Sequence, residues 1–332
     1  MPAVLEVEDL TVEFATPAGY VTVVDRVGFA LEAGGALAIV GESGCGKSVT
    51  AMATLRVLAE PPARIAAGRV GFEGRDLMGL DETTMRTVRG RDIAMIFQEP
   101  MTSLNPVLTI GEQVGEVLVA HQGLAPRAAR EKALELLKAV RIPDAARRLD
   151  DYPHRLSGGM RQRVMIAIAL ACTPKVLIAD EPTTALDVTV QAQILALLKQ
   201  LQQEAGIAIV LITHNLAVVA QVAERVAVMY AGRIVESGAV ADILARPLHP
   251  YTQGLLGATP RFDGHEASGA VRARLADIPG TVPQPGRLPP GCAFAPRCTK
   301  AIARCRSERP DLAAVSPGHA AACFLAEPAV QP

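Results

Sequence analysis

The sequence predicts an α/β protein built around a largely parallel β-sheet. Three short runs are apolar throughout, namely Leu37–Val40, Val176–Ala179 and Ile207–Ile212. Strands buried on both faces of a parallel sheet require continuous rather than alternating hydrophobicity. Helical patterns fit between these runs; Thr189–Gln203, for example, carries apolar residues at three- and four-residue spacing. The alternation of strand and helix predicts the α/β class.

Composition excludes several classes of protein. The chain has 332 residues, half of them hydrophobic, and a formal net charge of −1, which argues against nucleic-acid binding through bulk charge. No apolar run approaches the roughly 18–20 residues needed to span a bilayer. The first ten residues carry three acids and no basic segment, unlike a secretory signal. We therefore expect a cytoplasmic protein without a nucleic-acid partner.

The N-terminal elements follow from alternation and turn residues. Apolar residues alternate from Leu5 to Val12 and again over Val21–Val24, which predicts two strands with a turn at Pro17–Gly19. A helix is expected over Thr50–Leu58, after the glycine-rich loop that follows the first buried strand. Further along, Ile93–Phe97 has the length and composition of another strand.

The rest of the chain divides into a helical insert and a C-terminal extension. Strand signals fade between about residues 100 and 160, and Arg127–Val140 has an amphipathic pattern. Another helix is expected over Val164–Ala171. Eight of the thirteen residues Pro279–Gly291 are proline or glycine, which predicts an irregular connector. About two domains are expected for this length, and we place them at residues 1–256 and 257–332.

A glycine-rich motif follows the first buried strand and precedes a helix. Glycines let successive backbone N–H groups point at phosphate oxygens, and the helix N-terminus adds partial positive charge. Lys47 would reach the β- and γ-phosphates of a nucleotide, and Ser48 would bind Mg²⁺. The alternative is an ordinary turn with a surface lysine, which the strand–loop–helix context disfavours. The motif G-x-x-x-x-G-K-[ST] is matched by Gly41, Glu42, Ser43, Gly44, Cys45, Gly46, Lys47 and Ser48.

Two adjacent carboxylates end a later buried strand. Asp180 and Glu181 follow Val176–Ala179, and ligands of open α/β sheets bind at the carboxyl ends of strands. Asp180 would hold Mg²⁺ through water, and Glu181 would orient or deprotonate the water that attacks the γ-phosphate. Taken alone, such acids are more typical of a helix N-terminus. The upstream phosphate loop favours the catalytic interpretation.

A third motif, LSGGMRQ, precedes the helix over Val164–Ala171. Ser157 is first of all a helix N-cap, and Gly158 and Gly159 leave that N-terminus open to an anion. With the two earlier motifs, this sequence resembles the ATP-binding subunits of ABC transporters. The resemblance implies a RecA-like P-loop NTPase fold with a helical subdomain, ATP and Mg²⁺ as ligands, and ATPase activity.

The resemblance assigns further roles by position. It implies that Gln98 contacts Mg²⁺ and the attacking water and that His214 contacts the γ-phosphate. It places Val49 beside the nucleotide and makes Tyr20 the nearest candidate, with Phe14 behind it, for stacking on adenine. In this family the signature motif acts on ATP held by a second ATPase subunit, so one chain cannot complete a site. The residues that would act in trans are Ser157, Gly158, Gly159, Gln162 and Asp187.

Four stretches resemble the oligopeptide, dipeptide and nickel importers of that family: Phe97–Pro106, Thr183–Leu195, His249–Thr252 and Ile278–Pro283. This implies two membrane permease subunits, an extracytoplasmic substrate-binding protein and a second ATPase that is a paralogue more readily than an identical chain. The location implied is the cytoplasmic face of the membrane. One alternative is a soluble ATPase acting on nucleic acid or ribosomes, although such proteins usually carry tandem cassettes. Another is an exporter, although exporter ATPases are commonly fused to their membrane domain.

The last part of the chain is rich in cysteine. Cys292, Cys298, Cys305 and Cys323 are separated by five, six and seventeen residues, which matches no C-x₂-C zinc pattern. The wide, irregular gaps and the resemblance both favour a [4Fe–4S] cluster over zinc or four reduced structural thiols. Cys45, within the phosphate loop, is interpreted as a small residue tolerated there, with a redox-sensitive thiol as the alternative.

Overall fold

The computed structural model describes residues 3–99, 103–184, 186–258 and 278–326. Two β-sheets and the helices packed on them form the described part of the chain. Its strands are β1 (Ala3–Thr16), β2 (Gly19–Glu32), β3 (Ala36–Val40), β4 (Ala63–Phe72), β5 (Arg75–Asp76), β6 (Ile93–Ile96), β7 (Val176–Asp180), β8 (Ala208–Thr213), β9 (Arg225–Tyr230), β10 (Arg233–Ala239), β11 (Ala313–Ser316) and β12 (His319–Ala321).

The α-helices in the described ranges are short to medium in length. None of them is long and apolar enough to cross a bilayer. They are α1 (Lys47–Thr54), α2 (Glu82–Val88), α3 (Ile110–Gln122), α4 (Pro126–Ala139), α5 (Ala145–Arg148), α6 (Gly158–Leu170), α7 (Val188–Ala205), α8 (Leu216–Val222), α9 (Val240–Ala245), α10 (Pro250–Gly257) and α11 (Ala303–Ser307), with single 3₁₀ turns at Pro153–Arg155 and Ala295–Arg297.

The predicted parallel sheet is confirmed. Five neighbouring strands, in the order β9-β3-β8-β7-β6, pair in parallel. Every residue of β3, β7 and β8 is buried, which explains their continuous apolar sequences. Because these strands run in the same direction, the segments that follow β3, β6, β7 and β8 all lie at the carboxyl-terminal end of the sheet.

The N-terminal strands form a separate antiparallel sheet in the order β2-β1-β4-β5. Sequence alternation predicts β1 and β2 but not β4 or β5. In β4 the burial pattern alternates poorly, and most of its first seven residues are partly or fully exposed. Because side chains on both faces of this stretch are exposed, β4 lacks the apolar alternation that marks a half-buried strand.

The predicted helical insert is confirmed over the described part of residues 103–157. α3 begins at a capping box in which Thr109 and Glu112 exchange side-chain and backbone hydrogen bonds. α4 lies within one residue at each end of the predicted amphipathic helix. α1, however, spans Lys47–Thr54 and not Thr50–Leu58, because the phosphate loop fixes its first turn.

The C-terminal extension continues the main sheet. β12 pairs with β10 in antiparallel register and β11 pairs with β12, so the extension supplies the last two strands at one edge of the sheet, and β6 lies at the other edge. Residues 278–294, before the 3₁₀ turn, contain no regular element, as the proline and glycine content predicts. The predicted boundary between residues 256 and 257 falls at the end of α10, next to residues 259–277, which lie outside the described ranges. The two predicted domains nevertheless share one sheet.

Candidate nucleotide site

The glycine-rich loop joins β3 to α1 at the carboxyl-terminal end of the parallel strands. Gly46, with φ of 106°, is the N-cap of α1, and a side chain there would meet Met229 at 2.9 Å and the Val23 carbonyl at 3.2 Å. The Lys47 ammonium is buried and donates to the carbonyls of Gly41 at 2.8 Å and Glu42 at 3.0 Å. Lys47 is thus folded into the loop whose phosphate ligand it is predicted to contact.

Cys45 is a buried part of this loop. Its side chain is 1% exposed, and burial raises its thiol pKa above the usual value despite the nearby Lys47. A reactive thiolate needs a lowered pKa and access to solvent. The structure therefore favours the interpretation of Cys45 as a small packing residue over that of a redox-sensitive thiol.

Asp180 has the surroundings of a metal ligand. It ends β7 with 3% exposure, and its Oδ1 has no hydrogen-bond partner among the described residues. Burial raises its pKa, while the Ser48 hydroxyl and the Lys47 charge act in the opposite direction. A buried, unpartnered carboxylate oxygen beside a hydroxyl fits Mg²⁺, which prefers oxygen ligands. Ser48 and Asp180 together are therefore suited to hold the ion that accompanies ATP.

Glu181 lies where three loops meet. Its Oε1 is 3.3 Å from His214 Nδ1, and its Oε2 accepts a hydrogen bond from Gln98 Nε2 at 3.2 Å. The tertiary fold thus brings together the three predicted catalytic side chains from the ends of β6, β7 and β8. Glu181 also has φ of 45°, a strained value for a non-glycine residue.

Thr184 completes the environment of Glu181 and is not predicted from the sequence. Its hydroxyl donates to Glu181 Oε2 at 2.7 Å. Burial acts to raise the pKa of Glu181, but the hydrogen bonds from Thr184 and His214 and the charge of Lys47 outweigh it, and the net shift is downward. The carboxylate therefore stays ionised. The only sequence signal for Thr184 is its position three residues after the acid.

The LSGGMRQ segment lies on a second surface. Ser157 caps α6 by accepting a hydrogen bond from the Met160 N–H at 3.4 Å. Asp187 caps α7 in the same way, with its Oδ1 accepting a hydrogen bond from the Val190 N–H at 2.9 Å. Four of the predicted trans residues line a shallow cavity of about 380 Å³, namely Ser157, Gly158, Gly159 and Asp187.

Gln162, the fifth predicted trans residue, does not line that cavity. Its side chain lies within α6 and is 2% exposed, and Nε2 has no partner among the described residues. It sits five residues after Ser157, in a stretch of α6 in which residues 162–167 are all buried.

The predicted adenine-stacking residue is exposed on β2. The Tyr20 ring is 52% exposed, and one of its faces is covered by the Arg64 guanidinium, 3.5 Å from the ring centroid. Val49, in the first turn of α1, is half-buried, while Ser43 and Gly44 of the loop are exposed.

The four C-terminal cysteines line one small cavity together with His249 and Phe294. Burial raises the thiol pKa of Cys292, Cys298 and Cys323. Within the described ranges, however, no three His, Cys, Asp or Glu side chains are arranged as metal ligands. The four cysteines therefore share a cavity, but among the described residues they do not have coordination geometry.

The fold and the site together define a P-loop ATPase. Residues 24–184 match the family described as ABC transporter, and residues 235–305 match the family described as oligopeptide/dipeptide transporter, C-terminal region. Two relatives of Brucella abortus (strain 2308), each named a peptide import ATP-binding protein, are 53% and 52% identical to this chain over 96% and 97% of its length and 94% and 96% of theirs. The chain belongs to the ABC transporter ATPase family.

Solved structures show the same fold. The ATP-binding cassette MJ0796, in a dimeric post-hydrolysis state bound to ADP and Pi, matches 71% of this chain and 98% of its own with a TM-score of 0.63 and 29% identity. The cbiO1 protein of Clostridium perfringens, part of the ABC transporter complex cbiONQ, matches 74% of this chain and 92% of its own with a TM-score of 0.62 and 28% identity.

Proposed function

We propose that this ATPase energises the import of di- or oligopeptides, or of a related small solute, through an ABC transporter. The supporting observation is that its similarity to proteins named for peptide import extends through the C-terminal region. The proposed assembly contains two permease subunits, an extracytoplasmic substrate-binding protein and a second, paralogous ATPase. The chain would then lie at the cytoplasmic face of the membrane as a peripheral subunit.

The proposed chemistry is centred on Glu181. With a pKa below its usual range, the carboxylate accepts a proton from, or orients, the water that attacks the γ-phosphate. His214 and Gln98 flank it and would orient that water and the phosphate oxygens. Ser48, Asp180 and Gln98 would hold Mg²⁺, which neutralises charge on the phosphates when bound. The phosphate loop positions the nucleotide, and catalysis is largely positioning and charge stabilisation.

A complete site in this proposal needs two chains. Ser157, Gly158, Gly159 and Asp187 line a cavity that contains no residue of the phosphate loop. Their capped helix N-terminus would contact the γ-phosphate of ATP bound by the partner ATPase. ATP would therefore join the two subunits, and hydrolysis would release them.

The substitution Glu181→Gln tests this function. It keeps the size and hydrogen-bonding capacity of the side chain but removes the proton acceptor, so we expect ATP binding to persist while hydrolysis slows by about 100-fold or more. Release of phosphate by the assembled transporter measures the rate. Uptake of a radiolabelled dipeptide by cells that carry only the variant chain should fall to the level of cells lacking it.

The matched control is Glu204→Gln, which removes an exposed carboxylate of α7 remote from the loop. It should support wild-type hydrolysis and uptake. Undiminished hydrolysis by Glu181→Gln would remove Glu181 from its catalytic role. Normal hydrolysis by the wild type without any effect of the chain on peptide uptake would instead refute the proposed cargo.

We also propose that the C-terminal cysteines hold a [4Fe–4S] cluster. Support comes from four thiols lining one cavity and from their irregular spacing. Among the described residues no three such side chains have coordinating geometry, and Cys292, Cys298, Cys305 and Cys323 are the residues that would hold the cluster through their thiolates. The cluster would have a structural or redox-sensing role, because ATP hydrolysis transfers no electrons.

Metal content of the anaerobically purified chain tests the cluster. We expect about four irons and four sulfides per chain with broad visible absorption, and Cys298→Ser should lose most of both. Cys172→Ser, which changes a thiol outside this cavity, should keep them. Colourless protein holding zinc, or holding no metal, would contradict the proposal.

A further inference from the structure

A buried arginine of the C-terminal extension reaches the phosphate loop. Nη1 and Nη2 of Arg297 donate to Oε2 and Oε1 of Glu42 at 2.6 and 2.9 Å. The Arg297 side chain is 5% exposed, and Glu42 is the second residue of the loop. Such two-pronged arginine–carboxylate pairs fix geometry as well as charge. The extension is therefore in direct contact with the nucleotide site.

Arg297 is held in place by three further hydrogen bonds. Its Nε donates to the Pro279 carbonyl at 2.8 Å, Nη2 to the Ile278 carbonyl at 3.3 Å and Nη1 to the Tyr230 hydroxyl at 3.4 Å. The bond to Glu42 raises the guanidinium pKa above its usual value against the effect of burial. The guanidinium is consequently pre-oriented toward Glu42.

The backbone of Glu42 is held independently of its side chain. The Glu42 N–H donates to the Tyr251 hydroxyl at 2.7 Å, and Tyr251 is fully buried. The Tyr251 ring packs against Tyr230 and Phe294, with centroid distances of 4.6 and 5.5 Å. Phe294 lies three residues before Arg297, between the first two cysteines of the extension. One aromatic cluster thus supports both contacts to Glu42.

These contacts bear on nucleotide affinity. Glu42 places a carboxylate within a loop that receives a polyanion, and an uncompensated negative charge there would repel ATP. Its carbonyl also accepts a hydrogen bond from the Lys47 ammonium, so displacement of Glu42 would move the phosphate-binding lysine. We propose that Arg297 and Tyr251 are positioning residues of the ATP site, which hold and neutralise the phosphate loop through Glu42.

Binding of a fluorescent ATP analogue, mant-ATP, to the full-length chain tests this role. Arg297→Met should weaken binding at least about fivefold, in the range of ordinary coupling between sites. In the Glu42→Gln background the same substitution should have little effect, because its partner charge is gone. In the assembled transporter, Arg297→Met should raise the KM for ATP by a similar factor and change kcat less than about twofold.

Arg309→Met is the matched control. Arg309 also joins the extension to the body, through Asp25 at 3.0 Å, but does not contact the loop. The substitution Arg309→Met should leave the affinity for mant-ATP within about twofold of the wild-type value. Arg297→Lys keeps the charge but not the two-pronged geometry, so its mant-ATP affinity should lie between those of the wild type and Arg297→Met. It replaces Arg297→Met in the test if the methionine variant does not fold.

Three results would overturn the proposal. One is wild-type affinity in Arg297→Met. Another is an equal loss of affinity in Arg309→Met, which would indicate general loosening of the extension. The third is the same fold-loss from Arg297→Met whether residue 42 is Glu or Gln, which would show that the two side chains act independently.

Discussion

Two adjacent carboxylates, Asp180 and Glu181, have their pKa values shifted in opposite directions by their surroundings. Burial dominates at Asp180 and raises its pKa, whereas hydrogen bonds from Thr184 and His214 outweigh burial at Glu181 and lower its pKa. Environments that separate neighbouring acids in this way commonly divide their chemical roles. Here the division suits Asp180 to a cation and Glu181 to a water molecule.

Also at the scale of single residues, the space around Gly41 excludes any side chain. A Cβ at Gly41 would overlap the Met229 carbonyl oxygen and lie 2.8 Å from Cys45 Sγ. We expect Gly41→Ala to lower the free energy of unfolding by about 1–3 kcal/mol, the usual cost of overpacking, and to weaken mant-ATP binding because the loop must shift. Urea-induced unfolding and fluorescence titration measure the two effects.

Gly79→Ala is the control for that substitution. An added Cβ at Gly79 meets no atom within 4 Å, and the residue is exposed. It should leave both stability and mant-ATP affinity close to wild type. If Gly41→Ala behaved in the same way, the close packing of β9 against the loop would not constrain nucleotide binding.

At the scale of secondary structure, helix N-caps determine where the functional helices begin. Ser157, Asp187 and His249 cap α6, α7 and α10 through side-chain acceptors. The His249 cap is unusual because Nδ1 accepts from the Tyr251 N–H at 3.0 Å, which requires a neutral imidazole. α10 in turn carries Tyr251 to the phosphate loop.

This cap predicts a pH-dependent stability. Burial lowers the pKa of His249 from 6.5 to about 4, so below pH 6.5 the unfolded chain binds a proton that the folded chain does not. Stability is therefore lost as pH falls from 6.5 toward 4. Asn is a cap that does not titrate. We therefore expect the free energy of unfolding of the wild type, relative to that of His249→Asn, to decrease by about 2–3 kcal/mol between about pH 7 and pH 4.5.

Urea-induced unfolding of the wild type and His249→Asn at both pH values measures this change. A constant difference between wild type and His249→Asn would mean that the imidazole is protonated equally in the folded and unfolded chains.

At the scale of the whole molecule, the C-terminal extension is integrated into the ATPase body. β12 pairs with β10, and the buried His319 Nε2 lies 2.8 Å from Glu236 Oε1. The same Glu236 accepts the backbone N–H groups of Leu248 and His249 at 2.8 and 2.9 Å. The extension thus contacts both the sheet edge and, through Arg297, the nucleotide loop. This places it close enough to influence ATP binding.

The motifs carry most of the functional prediction. The phosphate loop, the acids at the end of β7, the helix caps and the apolar runs of the buried strands are local patterns, because each is defined by residues close in sequence. The same holds for α4 and α7, whose apolar periodicity predicts their ends to within one or two residues. These features, with the α/β class, are determined by the sequence alone.

Contacts between distant segments were decided only by the tertiary structure. The hydrogen bonds of Glu181 join loops from three strands, the pair between Glu42 and Arg297 spans 255 residues, and β12 joins a sheet begun near the N-terminus. Burial of Gln162 likewise depends on how the rest of the protein packs around α6. No local pattern encodes which side chains meet, because the free energy of such contacts arises from packing and desolvation in the assembled fold.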